Sequence, residues 1–124
     1  MSAKVNINLG SEEVELKLEY VVKNNDMNIS LHDDEGEDII SDKLSQFTSI
    51  DIDDNTSLKI ILKGPKINRV IRFHKESDAS EFFTTLQKVA KLTQLPGPNR
   101  SFILTMEPHQ VNLTDYIPLV GFFN

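Results

Sequence analysis

No cysteine occurs anywhere in the 124 residues. Disulfides and thiolate metal sites are thereby excluded, and a reducing compartment is the natural setting. Tryptophan is absent and tyrosine occurs only twice, so seven phenylalanines must supply most of the aromatic bulk of a core. Long apolar runs are missing as well. No stretch approaches the roughly 20 apolar residues that a membrane span needs, and Met1–Gly10 carries no apolar segment of the signal-peptide kind. A cytoplasmic protein is expected. The Asn-x-Ser/Thr triplets at Asn28, Asn55, Asn99 and Asn112 then read as chance matches.

Catalytic signatures are absent too. The chain holds no Gly-x-Ser-x-Gly, phosphate loop or dinucleotide fingerprint. His32, His74 and His109 are too scattered for ligand-like spacing, so no zinc site is expected. Asp51, Asp53 and Asn55 fit the first ligand positions of a calcium loop. Thr56 stands where glycine is needed, however, and Leu62 where the bidentate glutamate belongs, so a polar turn is the better reading. No catalytic residue, cofactor or metal is expected. An unrecognised enzyme would have to draw on the many carboxylates, and nothing in the sequence selects a pair of them.

What the chain does have is alternation, the mark of half-buried strands. Val5, Ile7 and Leu9 alternate with polar residues, as do Val14, Leu16, Leu18 and Tyr20, then Met27, Ile29 and Leu31. Gly10-Ser11 and Asn24-Asn25-Asp26 separate these runs, which predicts an antiparallel meander. His32–Asp38 crowds five acids around Gly36 and predicts a long, flexible, solvated connection. Residues 39–44 read as a short strand or a turn. Further strands are predicted over 47–52 (alternating at Thr48, Ile50 and Ile52), 58–62, 70–73 and 101–106.

One helical pattern of real length stands out, over 77–92. Ala79, Phe82, Phe83, Leu86, Val89 and Ala90 recur at intervals of three and four. Asp78 and Glu81 have capping-box spacing, and Pro96-Gly97-Pro98 forbids continuation. Phe82, Phe83, Leu86 and Val89 are expected in the core, and Thr84, Gln87, Lys88 and Lys91 in solvent. Val111–Asn124 is apolar but interrupted by Pro118 and Gly121, so an irregular tail is expected there. The whole is one domain, residues 1–124.

Charge is unevenly spread. Residues 1–56 hold 14 acids against 4 bases, a net of −10, and residues 57–124 hold 5 against 9, a net of +4, giving −6 overall. An acidic chain is a poor nucleic-acid binder. Lys59, Lys63, Lys66, Arg69, Arg72 and Lys75 nevertheless crowd into 17 positions. They form either an ordinary solvated hairpin or a basic face for an acidic partner, with Lys63, Lys66 and Arg72 steering the encounter.

The element order, strands followed by one C-terminal helix, resembles a pleckstrin-homology (PH) domain. Residues 43–124 are similar to the PH-like Rab-binding domain at the N-terminus of some TBC-domain Rab GTPase-activating proteins. The matching points are Lys43–Ile50, the strand end Ile71-Arg72-Phe73-His74, the helix segment Phe82–Leu86, Phe102–Leu104, Pro108-His109 and the Leu113–Phe123 tail. That resemblance implies a mainly β fold, with about seven antiparallel strands in a partly open barrel capped by the 77–92 helix. It implies a non-catalytic interaction module of a larger Rab GTPase-activating protein, binding a Rab-type small GTPase or another trafficking protein. Recruitment to endomembranes would then come through the partner, with at most weak peripheral membrane contact. The alternative is a phosphoinositide-binding PH domain. The first two strands supply only Lys4 and Lys17 for such a head group, around the acidic turn Gly10-Ser11-Glu12-Glu13.

Overall fold

The alternating runs at the start of the chain become a four-stranded meander. The structure is a computed structural model that describes residues 1–53, 58–98 and 100–106. Strand β1 (Ser2–Leu9) pairs with β2 (Glu12–Lys23), β2 with β3 (Asp26–His32), and β3 with β4 (Asp38–Lys43), all antiparallel. Ala3, Val5 and Ile7, then Leu16, Leu18 and Tyr20, then Met27, Ile29 and Leu31 are buried, as their alternation requires. Asn24 and Asn25 have φ of 55° and 59°, the left-handed pair that a two-residue type I′ hairpin demands.

The acidic connection departs from expectation. It is a short turn, not a long flexible one. The Asp33 carboxylate accepts the backbone N–H groups of Glu35 (3.0 Å) and Glu37 (2.9 Å). Gly36, at φ 82°, donates to the Asp33 carbonyl at 3.1 Å. One of the five acids is therefore structural, and residues 39–43 lie in a true strand, β4.

From β4 the chain crosses through a 3-10 turn, Leu44–Gln46, to a second meander of β5 (Ser49–Ile52), β6 (Lys59–Lys63) and β7 (Asn68–Phe73). The expected strand over 47–52 is shorter. Phe47, not Thr48, enters the core, because the chain is still turning there. The crossing is pinned at its start, where Asp26 accepts the Ser45 N–H (3.2 Å) and the Ser45 hydroxyl (2.6 Å). β7 then returns to β1, with Val5 opposite Phe73 and Ile7 opposite Ile71. After helix α1 (Glu76–Leu86) come β8 (Lys91–Gln94) and β9 (Arg100–Thr105). The described residues thus form one nine-stranded antiparallel sheet in the order β4-β3-β2-β1-β7-β6-β5-β9-β8. The expected mainly β class with one helix holds; among the described residues there are nine strands rather than about seven, and the sheet is open, since β4 and β8 at its ends do not pair there with each other.

One core nonetheless joins both ends of the sheet. Ile40 of β4 and Leu92 of β8 belong to the same cluster as Phe82, Phe83 and Leu86 of α1. Phe82 meets Tyr20 edge-on at 5.1 Å and Phe73 at 5.5 Å, and Phe83 lies 5.7 Å from Phe102. Burial, reinforced by Glu81 and opposed by a hydrogen bond with Thr85, pushes the Tyr20 phenol up to about 12. Across the gap between β4 and β7, Arg69 grips the buried Asp42 with Nε–Oδ2 at 2.7 Å and Nη2–Oδ1 at 3.3 Å.

The helix is shorter than its apolar spacing suggests. It ends at Leu86, and Lys91 lies in β8. Lys88 and Val89 donate to carbonyls only three residues back, Thr85 and Leu86, so the chain tightens into a turn. Val89 and Ala90 are buried on that turn, which prolonged the helical periodicity past the helix itself. Lys75 is the N-cap, without a side-chain bond, so the Asp78–Glu81 capping box does not form. Gln87 is buried rather than exposed, and its Oε1 has no hydrogen-bond partner among the described residues. The expected tail, Val111–Asn124, lies outside the described residues.

Gly64, just after β6, marks the closest backbone approach. A Cβ there would sit 2.2 Å from the Gln46 carbonyl oxygen, a rigid backbone atom. Gly64→Ala is therefore expected to cost about 1–3 kcal/mol, the usual range for overpacking. Urea denaturation measures it, and an unchanged midpoint would show that the crossing is not held against the β6–β7 turn.

Candidate functional site

Strand register assembles a groove on the surface. Lys4 stands directly opposite Lys17 on β1–β2, and Lys17 directly opposite His32 on β2–β3. These three residues make one cross-strand row on the outward side of the meander. Like charges placed so are unfavourable unless carboxylates offset them. Glu19 does so, 3.8 Å from Lys17 Nζ and 3.2 Å from His32 Nε2. Asp38 adds a contact at 3.0 Å to His32 Nδ1. The Asp38 hydrogen bond, outweighing partial desolvation and aided by Glu19, raises the His32 pKa above its ordinary 6.5.

The end of β7 closes the other wall. The His74 N–H donates to the Lys4 carbonyl at 3.3 Å, and His74 Nε2 lies 2.7 Å from Asn6 Oδ1. That docking brings His74, Lys75 and Asp78, at the start of α1, to the same place. The result is a groove of about 740 Å³. Its lining includes Lys4, Lys17 and Lys75 together with Glu15, Glu19, Asp33, Asp34 and Asp78. It presents both signs of charge, which suits a polar protein surface better than a purely anionic or cationic small ligand. Among the described residues no cluster of three His, Asp or Glu is arranged to hold a metal ion.

The basic residues expected to bind a partner do not form one patch. Lys59, Lys63 and Arg72 share the outer face of β6–β7, and each faces a carboxylate: Asp53 at 3.8 Å, Asp51 at 2.5 Å and Glu13 at 3.7 Å. Burial would raise the Asp51 carboxyl, but hydrogen bonds from Lys63 and Ser101, with the Lys63 charge, hold it below its ordinary range. These two aspartates, which the calcium-loop reading had singled out, are thus engaged with lysines. Arg69 is on the inner side, bound to Asp42. Lys66 is in the exposed β6–β7 turn, and only Lys75 reaches the groove. His32 and His74, 42 positions apart, do come together around the groove, whereas His109 lies outside the described residues. Sequence spacing hid this site because antiparallel register, not proximity along the chain, builds it. The usable signal was the common outward parity of Lys4, Lys17 and His32 on adjacent strands.

No protein-family model, curated protein or solved structure matches this chain. Among the described residues that carried the family resemblance, Leu44, Phe47, Ile50, Ile71, Phe73, Phe82, Phe83, Leu86, Phe102 and Leu104 are buried. They are what any curved sheet packed on a helix needs. His74 differs, being an exposed residue on the groove wall.

Proposed function

We propose that this chain is a non-catalytic, PH-like protein-interaction module that uses the groove to bind a small GTPase of the Rab type, as part of a larger Rab GTPase-activating protein. The observation that carries this reading is the position of His74 and Lys75. Phe73-His74, which ends one of the matching strands of the resemblance, splits into a core anchor and a groove-wall residue, next to one of the predicted partner-binding lysines. The element order agrees, with seven strands followed by a helix before the β8–β9 hairpin. A transient interface needs roughly 800 Å² on each side, which a domain of 124 residues can supply. Apolar contacts would carry affinity, and Lys75 would steer encounter. Pull-down against a panel of Rab proteins, loaded with GTP analogue or GDP, tests the reading. Retention of at least one member in one nucleotide state is expected, and no retention above background across the panel overturns it.

A second reading keeps the PH-like fold and exchanges the partner for a phosphoinositide head group. The facing Lys4–Lys17 pair and Lys75 in one groove favour it. Five carboxylates in the same lining oppose it. Flotation with phosphoinositide-containing vesicles decides between the two, since head-group-dependent binding would favour the lipid.

A further inference from the structure

We propose that His32 is a proton-operated latch that holds the acidic β3–β4 turn, one lip of the groove, against β2. The geometry is that of a ring with a carboxylate at each nitrogen: Asp38 of β4 at Nδ1, 3.0 Å, and Glu19 of β2 at Nε2, 3.2 Å. A neutral imidazole carries one N–H and can donate to only one of them. The imidazolium donates to both and ties three strands together. The side chain is 12% exposed, so the contacts are partly shielded while protons still reach the ring.

The strands themselves put the latch at the lip. His32 closes β3, and the next residue is Asp33, whose carboxylate organises the turn through the Glu35 and Glu37 N–H groups. Asp33, Asp34 and Gly36 of that turn line the groove. The β3–β4 register shifts between Leu31 and His32, so the ladder is irregular where the latch sits. The side-chain bond reinforces a weak point in the pairing.

The charged surroundings set the sign. On β2, Lys17 stands opposite His32 and opposes its charge, and Glu19 favours it. On β4, Asp38 favours it, and the turn residues Asp33 and Asp34 are carboxylates on the same groove. Lys4 on β1, Glu15 on β2, and His74, Lys75 and Asp78 across the groove are the other charged or titratable groups on the groove lining. Because the folded-state pKa is raised, the latch is fully engaged below the unfolded value near 6.5 and is lost as pH rises through the higher folded value. The lip is held in mildly acidic surroundings and freed in mildly alkaline ones.

Hydrogen exchange of the Asp33, Glu35, Gly36 and Glu37 amides, corrected for intrinsic rates, tests this between pH 5.5 and 8.5. In the wild-type chain their protection is expected to fall at least about threefold over that range. In His32→Gln the dependence should vanish, whereas His74→Gln should retain it. The His32 ring proton, followed by NMR, should titrate at lower pH in Asp38→Asn than in the wild type. Protection that does not change with pH in the wild type, or the same pH dependence in His32→Gln, overturns the latch. An unshifted His32 midpoint in Asp38→Asn does so too.

Discussion

Phe82→Ala should lower the unfolding free energy by about 3–5 kcal/mol, a large share of the about 5–15 kcal/mol typical of a domain. Phe82 is wholly buried on the inner face of α1. It is the point where the two meanders meet through the helix: its ring contacts Tyr20 of β2 and Phe73 of β7. Those partners lie on opposite sides of β1 in the sheet order. Truncation removes the hydrophobic burial of the ring and leaves a cavity between strands that backbone pairing holds in place, so little collapse can compensate. Chemical denaturation followed by circular dichroism measures the loss. Near-wild-type stability would mean that α1 does not close the core.

The second large effect is expected at Arg69. Arg69→Leu should cost about 3 kcal/mol, the low end of the range for breaking a buried pair. The low end applies because the Arg69 side chain keeps 27% of its surface in water while Asp42 keeps 6%. The cost comes mainly from Asp42, left buried without its two charged donors. Replacing both residues, Asp42→Leu with Arg69→Leu, should recover most of the loss, since an apolar pair of similar volume is often no less stable than a buried ion pair. A double variant as unstable as the sum of the two single variants would contradict this account of the β4–β7 gap.

The pair also shows what the sequence made legible. Within 59–75 the basic residues look alike by composition, yet their parity differs. Arg69 shares its side of β7 with Ile71 and Phe73, while Arg72 alternates with them. Reading parity rather than charge separates the structural arginine from the exposed one. Strands β1, β2 and β3 were legible for the same reason, because a half-buried strand writes its two faces into every second residue. The helix was legible in place but not in length. Val89 and Ala90 are buried on a turn, and apolar spacing cannot tell a buried turn from one more helical turn. The order of the acidic turn depends on one carboxylate bonding backbone, which a run of Asp and Glu conceals. The groove was the least legible, because Lys4, Lys17, His32 and His74 come from four separate segments and meet only through register.

The functional account rests on the groove, so the most direct measurement compares three chains against the Rab protein retained best in the panel: wild type, Lys75→Glu and Lys63→Glu. Lys75 lies on the groove at the helix N-cap, where an acidic residue is compatible with folding. Lys63 belongs to the β6–β7 face, engaged with Asp51. Dissociation constants from titration calorimetry at moderate salt are expected to rise about three- to tenfold for Lys75→Glu and to stay near wild type for Lys63→Glu. Weakening by Lys63→Glu with no effect of Lys75→Glu would place the interface on the hairpin and contradict a groove-centred site.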